Sequence, residues 1–196
     1  PISKAEVAMD NSYQDVTDPS VFVKFKLQGE DVSVLAWTTT PWTLPANTAV
    51  AVNKDEQYAE VNIAGERLIL AKAMLDKALT DEKHNVVPYT ITRTFAGSEL
   101  VGKSYEPLFE NRGEKAHSIW HAEYVSMEEG TGIVHLAPAY GEEDYALSRE
   151  MGFPFVNNID DNGLYIDGEW AGQNVWEANK PIAKTLHERG VVWKID

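Results

Sequence analysis

Short runs of alternating apolar and polar residues, rich in β-branched side chains, recur along most of the chain. Successive side chains of a strand point to opposite faces, so such runs predict β-strands. The predicted strands cover residues 21–27, 32–37, 48–52, 58–63, 67–70, 90–95, 117–125, 131–136 and 191–195. β-structure therefore dominates the prediction.

Apolar residues with helical spacing occur in three segments, at residues 72–79, 142–151 and 175–189. Gly190 follows the last of these, where a glycine commonly ends a helix. The pattern predicts an α+β fold with a β-barrel-like core and a few peripheral helices. We expect residues 1–196 to form a single domain, because no repeat, linker or charge block divides them, with residues 1–20 weakly ordered or linker-like.

The amino-acid composition and net charge argue against several classes of protein. The 196 residues include no cysteine and no apolar run long enough to span a membrane, so we expect no disulfide, no thiolate metal site, no membrane contact and a cytoplasmic location. The net charge of −14 repels nucleic acid phosphates and disfavours a stand-alone nucleic acid binder. Small basic groups remain for a few phosphate contacts, namely Lys24 with Lys26, and Lys103 with Arg112 and Lys115.

Two patterns suggestive of metal binding have simpler interpretations. The spacing of Asn158, Asp160, Asn162, Gly163 and Glu169 matches a calcium-binding loop, but the preceding Gly-Phe-Pro breaks the helix that such a loop needs, so residues 161–163 are better read as a tight hairpin turn. His117 and His121 fall in a predicted strand, where residues four apart lie about 13 Å from each other. We therefore predict neither a metal nor a cofactor.

Two segments remain that ordinary turns do not explain. Residues 37–50, WTTTPWTLPANTAV, contain five threonines, four of which lie around Pro41 and before Pro45. Residues 130–145, GTGIVHLAPAYGEEDY, place His135 at the end of a strand and three carboxylates in the first turn of a helix. Each has a plain structural interpretation, since acidic residues stabilise a helix start by about 0.3–1 kcal/mol and a lone histidine at a strand end is commonly a core residue.

Together and in this order, the two segments closely resemble the editing domain of isoleucyl-tRNA synthetase, an insertion in the catalytic domain of that enzyme. Residues 99–109, ELVGKSYEPLF, resemble a third block of the family, and the likeness extends over residues 21–196. Related valyl and leucyl domains carry arginine and an acidic residue where this chain has Thr40 and Trp42, which favours the isoleucyl branch. Neither signature of the aminoacylation site occurs in the chain, so it is similar to an excised editing domain.

The resemblance implies hydrolytic proofreading: removal of valine from isoleucine tRNA, and of valyl-adenylate. The need is physical, because one missing methylene changes binding in an apolar pocket by only about 1–3 kcal/mol, and a second, smaller site must reject the wrong product. The implied partners are the 3′ end of isoleucine tRNA carrying valine, valyl-adenylate, and the rest of an ATP-binding parent synthetase.

The resemblance also implies roles for individual residues. Asp144 binds the α-ammonium group of the substrate, Asn47 orients the ester or the attacking water, and His135 limits the size of the side chain. Whether His135 also transfers a proton is open at this point. As catalytic residues the resemblance gives Thr39, Thr40, Asn47 and Asp144, and as substrate-binding residues Thr38, Trp42, Thr43 and His135.

Two other functions fit the same sequence. One is a non-catalytic module that binds aminoacyl-adenosine or the tRNA end, which would show tight binding without turnover. The other is a β-rich interaction domain whose threonines decorate a surface strand, which would show no affinity for aminoacyl-adenosine analogues.

Overall fold

The computed structural model describes residues 19–196. Within them the α+β prediction is confirmed. The nine strands are β1 Val21–Lys26, β2 Ser33–Thr38, β3 Ala49–Val52, β4 Gln57–Ile63, β5 Glu66–Ala71, β6 Thr90–Ala96, β7 Ser118–His121, β8 Ile133–Leu136 and β9 Val192–Ile195. The α-helices are α1 Leu75–Ala78, α2 Glu142–Met151 and α3 Val175–Glu188, and 3-10 helices span Pro41–Ala46, Lys72–Met74 and Gly97–Glu99.

The strands of residues 19–196 form two sheets. The larger has the order β6-β4-β5-β2-β1-β9, and the smaller has the order β7-β3-β8. Neighbouring strands run antiparallel except β2 with β5 and β3 with β7. Because β6 and β9 end the larger sheet without pairing to each other, the described strands do not close into a barrel, and a barrel-like core stays a prediction.

The main core lies where β1 and β2 of the larger sheet meet the smaller sheet. Val21, Val23 and Phe25 alternate along β1 on the face that belongs to this core, together with Val50 of β3 and Ile133 of β8. The intervening β1 side chain Phe22 belongs to a second cluster that is packed under α1. Successive apolar side chains of β1 therefore point alternately into two apolar clusters, one on each face of the sheet.

Most element boundaries agree with the sequence to within two residues, and three segments differ. The helix predicted at 72–79 begins as the 3-10 turn Lys72–Met74 before α1. The strand predicted at 117–125 is shorter at both ends: His117 has a positive φ of 59° and lies before β7, and residues 122–125 form a turn in which the Val125 N–H donates to the Ala122 carbonyl. The turn at residues 161–163 forms, but its flanks make an isolated bridge between Ile159 and Tyr165 instead of a regular hairpin ladder.

Two further predictions meet the limits of the described chain. The expectation of weak order at residues 1–20 falls almost wholly on residues 1–18, which lie outside the described residues. None of the helices within residues 19–196 has both the length and the apolar character needed to cross a membrane.

Candidate active site

The threonine-rich segment leaves β2 and turns at once into a short 3-10 helix. Pro41 begins this helix, where its missing N–H costs nothing, and no side chain caps it. The threonines bond to one another instead: the Thr40 N–H donates to Thr38 Oγ1 at 3.1 Å, and the Thr43 hydroxyl donates to the Thr40 carbonyl at 2.9 Å. Local bonds of this kind fix the loop and leave hydroxyls at the surface of a cleft.

The acidic segment forms the start of α2. Asp144 turns back over the helix N-terminus, and its Oδ2 accepts the Ala137 N–H at 2.8 Å. Within residues 19–196, Oδ1 has no donor within hydrogen-bonding distance. A Cβ on Gly141 would lie 2.9 Å from the Asp144 Cγ, so the carboxylate needs a glycine here. Burial raises the pKa of Asp144, opposed by the bond from Ala137 and supported by the charge of Glu143.

Both segments line one cleft of about 360 Å³. It brings together six of the eight residues predicted for the site, namely Thr38, Thr39, Thr40, Thr43, His135 and Asp144. Asn47 and Trp42 do not line it. The cleft joins the end of β2, the strand β8 and the start of α2, which are far apart in sequence.

His135 is buried in the cleft wall, and both of its ring nitrogens are bonded to protein atoms. Its Nδ1 lies 3.0 Å from Asn47 Nδ2, and its Nε2 lies 2.7 Å from Thr43 Oγ1. An amide nitrogen can only donate, so Nδ1 accepts and Nε2 carries the proton. Burial lowers the pKa of His135 from 6.5 to about 4, which keeps the ring neutral at physiological pH.

Asn47 lies behind His135, away from the cleft surface. Its Nδ2 also donates to the Ala49 carbonyl at 2.9 Å, and its Oδ1 accepts the Tyr105 hydroxyl at 2.6 Å. All of its amide groups are therefore bonded within the protein. A direct contact of Asn47 with the ester or the water stays a prediction.

Trp42 sits on the other side of the 3-10 helix. Its ring packs edge-on against Tyr140 at 5.3 Å between ring centroids, and it lies 6.3 Å from Trp176. The Trp42 backbone N–H donates to Asn179 on α3 at 3.0 Å. Trp42 thus supports Tyr140, which does line the cleft.

The glycines that precede β8 allow a close approach to neighbouring strands. Gly130 has a φ of 66°, and a Cβ there would lie 3.0 Å from the Trp37 ring. Gly132 has a φ of 70°, and a Cβ there would lie 2.3 Å from the Cβ of Ala71. These glycines let the loop pack against β2 and β5, and so place β8 beside the threonine segment.

Sequence reasoning missed several residues of the cleft. Trp37, Gly130, Thr131, Tyr140 and Glu143 lie within the two quoted segments, but no role in the site was predicted for them. Tyr124 lies in the strand predicted at 117–125, and Ser126 and Glu129 lie between that strand and the next. Burial raises the pKa of the Tyr124 phenol, and the carboxylates of Asp144 and Glu143 act in the same direction. No sequence signal indicated that the segment before β8 folds over the cleft.

The charge of the cleft favours a cationic group. Its lining includes the carboxylates of Glu129, Glu143 and Asp144, and within residues 19–196 no lysine or arginine lines it. The predicted basic groups are largely paired elsewhere: Lys24 with Glu66 at 2.5 Å, Lys103 with Glu30, and Arg112 with Glu110 at 3.2 Å. Residues 19–196 hold no cluster of three or more histidine or acidic side chains suited to a metal ion.

The chain matches known proteins over most of its length. Residues 19–179 match the family model described as leucyl-tRNA synthetase, editing domain. An isoleucine–tRNA ligase of Clostridium novyi is 44% identical over 198 aligned positions, which cover 98% of this chain and 18% of that protein. This chain therefore spans under a fifth of the length of that relative.

Solved structures share the fold. The crystal structure of GlLeuRS-CP1 superposes with a TM-score of 0.72 at 15% identity, covering 90% of this chain and 98% of that one. The editing domain of the P. falciparum cytosolic leucyl-tRNA synthetase gives a TM-score of 0.71 at 10% identity, covering 92% of this chain and 100% of that one. Family model, sequence relatives and fold agree, and the chain therefore belongs to the editing-domain family of the leucyl- and isoleucyl-tRNA synthetases.

Proposed function

We propose that this domain hydrolyses valine that has been wrongly attached to isoleucine tRNA, and valyl-adenylate, as the proofreading site of an isoleucyl-tRNA synthetase. One observation carries the proposal: the hydroxyl-rich loop and the carboxylate of Asp144 line the same cleft, with the neutral side chain of His135 in its wall. A cleft of this kind suits a small aminoacyl ester that carries one positive charge.

Asp144 binds the α-ammonium group of the substrate. Oδ2 is held by the Ala137 N–H, and Oδ1 is left to accept from the ligand. Charge-assisted hydrogen bonds of this type contribute about 1.5–3 kcal/mol. Burial strengthens the contact, because a partly desolvated carboxylate gains more from a cation than one in water.

The threonines hold the ester and the terminal adenosine. The hydroxyls of Thr38, Thr39 and Thr40 both donate and accept without adding charge, and the prolines on either side of Trp42 keep the loop rigid. Trp42 acts indirectly, by supporting Tyr140. Uncharged donors suit an ester, whose carbonyl oxygen becomes negative only as the reaction proceeds.

Hydrolysis needs only one displacement. The water oxygen attacks the ester carbonyl carbon, the acyl–oxygen bond breaks, and the ribose oxygen leaves with a proton, which gives valine and tRNA with a free 3′ end. The ester is already activated, so orientation of ester and water supplies most of what is required. His135 is not the base in this scheme, because both of its nitrogens are engaged and the pKa of its ring lies near 4.

His135 limits the size of the side chain that enters. It is buried and bonded at both ends of the ring, so it forms a fixed wall. A fixed wall rejects an added methylene through overlap, and small-to-large changes in packed sites typically cost about 1–3 kcal/mol. Valine is admitted and isoleucine is excluded.

The domain works as part of a larger enzyme. The relatives are several times longer than this chain, and the carboxylates of the cleft favour the ammonium group over the phosphates of tRNA. We therefore propose that the rest of an ATP-binding synthetase binds the body of the tRNA and delivers its 3′ end. A barrel-like core and a cytoplasmic location remain part of this proposal.

The experiment is deacylation by the full-length synthetase that carries this chain. Isoleucine tRNA charged with radiolabelled valine, and the same tRNA charged with isoleucine, are incubated with enzyme, and release of the free amino acid is followed. The proposal expects rapid loss of valine and slow loss of isoleucine. Binding of valine-charged tRNA without release of valine would establish a binding module instead, and absence of both would overturn the assignment.

A further inference from the structure

A chain of hydrogen bonds runs from the core to the wall of the cleft. The Tyr105 hydroxyl donates to Asn47 Oδ1, the Asn47 amide donates to His135 Nδ1, and His135 Nε2 donates to Thr43 Oγ1. The chain ends where the Thr43 hydroxyl donates to the Thr40 carbonyl. Every member has the donor or acceptor that its neighbour requires.

Tyr105 is the far end of this chain and does not touch the cleft. It is 2% exposed, and its ring packs edge-on against Phe25 at 5.0 Å and against His117 at 5.6 Å between centroids. These contacts fix the direction of its hydroxyl. Tyr105 lies in the third sequence block, residues 99–109. No residue of this block lines the cleft, so contact with the substrate does not explain its resemblance to the family.

The orientation of the Asn47 amide decides the protonation of His135. An amide turned by 180° presents an oxygen to Nδ1, which would force the proton onto Nδ1 and leave Nε2 as an acceptor. Three groups oppose that turn: the Ala49 and Leu136 carbonyls, which accept from Nδ2 at 2.9 and 3.5 Å, and the Tyr105 hydroxyl, which donates to Oδ1 at 2.6 Å and would lose its acceptor. Of these three, only the Tyr105 hydroxyl is a side-chain group that a substitution can remove.

We propose that Tyr105 is a positioning residue for editing: by holding the Asn47 amide it keeps His135 in its Nε2-protonated form and its ring immobile in the cleft wall. This inference rests on the proposed function for its consequence, the discrimination between valine and isoleucine. It assigns the third sequence block a place in the site without any contact to substrate.

The first test reads the histidine directly. Nitrogen NMR of the chain labelled at histidine, with the His135 signals assigned by their loss in His135→Gln, is expected to show Nε2 protonated and Nδ1 unprotonated. In Tyr105→Phe the two nitrogens should show averaged signals, because the amide oxygen has lost the hydroxyl that holds it. An Nδ1-protonated ring in the unsubstituted protein, or unchanged signals in Tyr105→Phe, would overturn the inference.

The second test reads selectivity in the full-length synthetase. Tyr105→Phe is expected to lower the ratio of valine to isoleucine deacylation rates about tenfold, the size expected for one lost buried hydrogen bond. Tyr58→Phe is the matched control: Tyr58 is also fully buried, and its hydroxyl donates to the carbonyl of Gly132 at the edge of the cleft at 2.7 Å, without a bond to Asn47 or His135. Equal effects of the two substitutions on the ratio would show that the bond from Tyr105 to Asn47 has no specific part in selectivity.

A double substitution separates positioning from general destabilisation. Tyr105 acts through Asn47, so adding Tyr105→Phe to Asn47→Ala should leave the rate ratio as it is in Asn47→Ala alone. Additive effects would contradict the inference. Failure of the unsubstituted synthetase to release valine would overturn the proposed function instead, and the NMR test would still decide the state of His135.

Discussion

The two walls of the cleft are built on different physical principles. The wall at His135 is buried, neutral and bonded through Thr43 and Asn47 into the core. The wall at the start of α2 carries Glu143 and Asp144 and is partly open to solvent, and Asp144 Oδ1 accepts no hydrogen bond from residues 19–196. The wall at His135 can select ligands by shape, and the wall at α2 can select them by charge. A substitution in one wall therefore leaves the side chains of the other in place.

The charged wall should give the largest effect. Replacing Asp144 with alanine would remove the proposed contact to the ammonium group, and a loss of about 1.5–3 kcal/mol corresponds to a decrease of roughly 10- to 150-fold in kcat/KM for valine deacylation. Glu142→Ala is the control, because Glu142 lies in the same helical turn but does not line the cleft. Near-normal deacylation by Asp144→Ala would remove Asp144 from the substrate site.

The neutral wall should change selectivity more than rate. His135→Ala would remove the wall that we propose excludes isoleucine. Because one methylene changes binding by about 1–3 kcal/mol, we expect relative isoleucine deacylation to rise roughly 20-fold. The exposed residue His187 on α3 provides the control substitution, His187→Ala. Discrimination that stays the same in His135→Ala would show that the selecting surface lies elsewhere.

A substitution at Gly141 moves the carboxylate without removing its charge. Its φ of −135° is accessible to any residue, so the backbone tolerates alanine, but the new Cβ would meet the Asp144 carboxyl group at 2.9 Å. We expect roughly a tenfold loss of valine deacylation, since a displaced charge-assisted bond loses much of its energy. Circular dichroism should show an intact fold, and full activity would mean that the position of Asp144 is not critical.

The smallest predicted effect is on how the free energy of unfolding changes with pH. The pKa of His135 is about 4 in the folded chain, against 6.5 as the ordinary value, so the unfolded chain takes up the proton first as pH falls. The free energy of unfolding should therefore drop by about 1 kcal/mol between pH 7.5 and 5.5 from this group alone, with further loss down to pH 4.

To measure this effect, the free energy of unfolding in urea is determined at several pH values for the unsubstituted protein and for His135→Gln. The difference between the two isolates His135 from the carboxylates that also titrate, such as Asp81 and Asp160, whose pKa values are lowered mainly by backbone hydrogen bonds, and Asp144, whose pKa is raised mainly by burial. Parallel pH curves for the two proteins would show that His135 does not ionise differently on unfolding.

Elements with a periodic pattern of buried side chains could be predicted from the sequence, and features that depend on distant contacts could not. Strand alternation and helical spacing found all nine strands and the starts of α2 and α3, because burial on one face leaves a periodic trace. The extent of β7 was misjudged at both ends: His117 has a positive φ and its ring contacts Tyr105 and the Arg112 N–H, and residues 122–125 turn away from the strand.

Within the site, the family resemblance predicted residues of both walls. His135 and Thr43 of the neutral wall and Asp144 of the charged wall line the cleft, whereas Glu143 had been given no role. The positions of Asn47, behind His135, and of Trp42, beside Trp176, depend on contacts with Tyr105 and α3 that no short segment contains. The turn of Tyr124 towards Asp144 left no trace in the sequence for the same reason.

A structure of the protein with a non-hydrolysable valyl-adenosine analogue, in which an amide replaces the ester, would show directly whether the cleft is the substrate site. We expect the analogue to lie in the cleft, with its amino nitrogen about 3 Å from the Asp144 carboxylate and its valine side chain against the ring of His135. An analogue bound at another surface, or bound in the cleft with its amino group away from Asp144, would contradict this expectation.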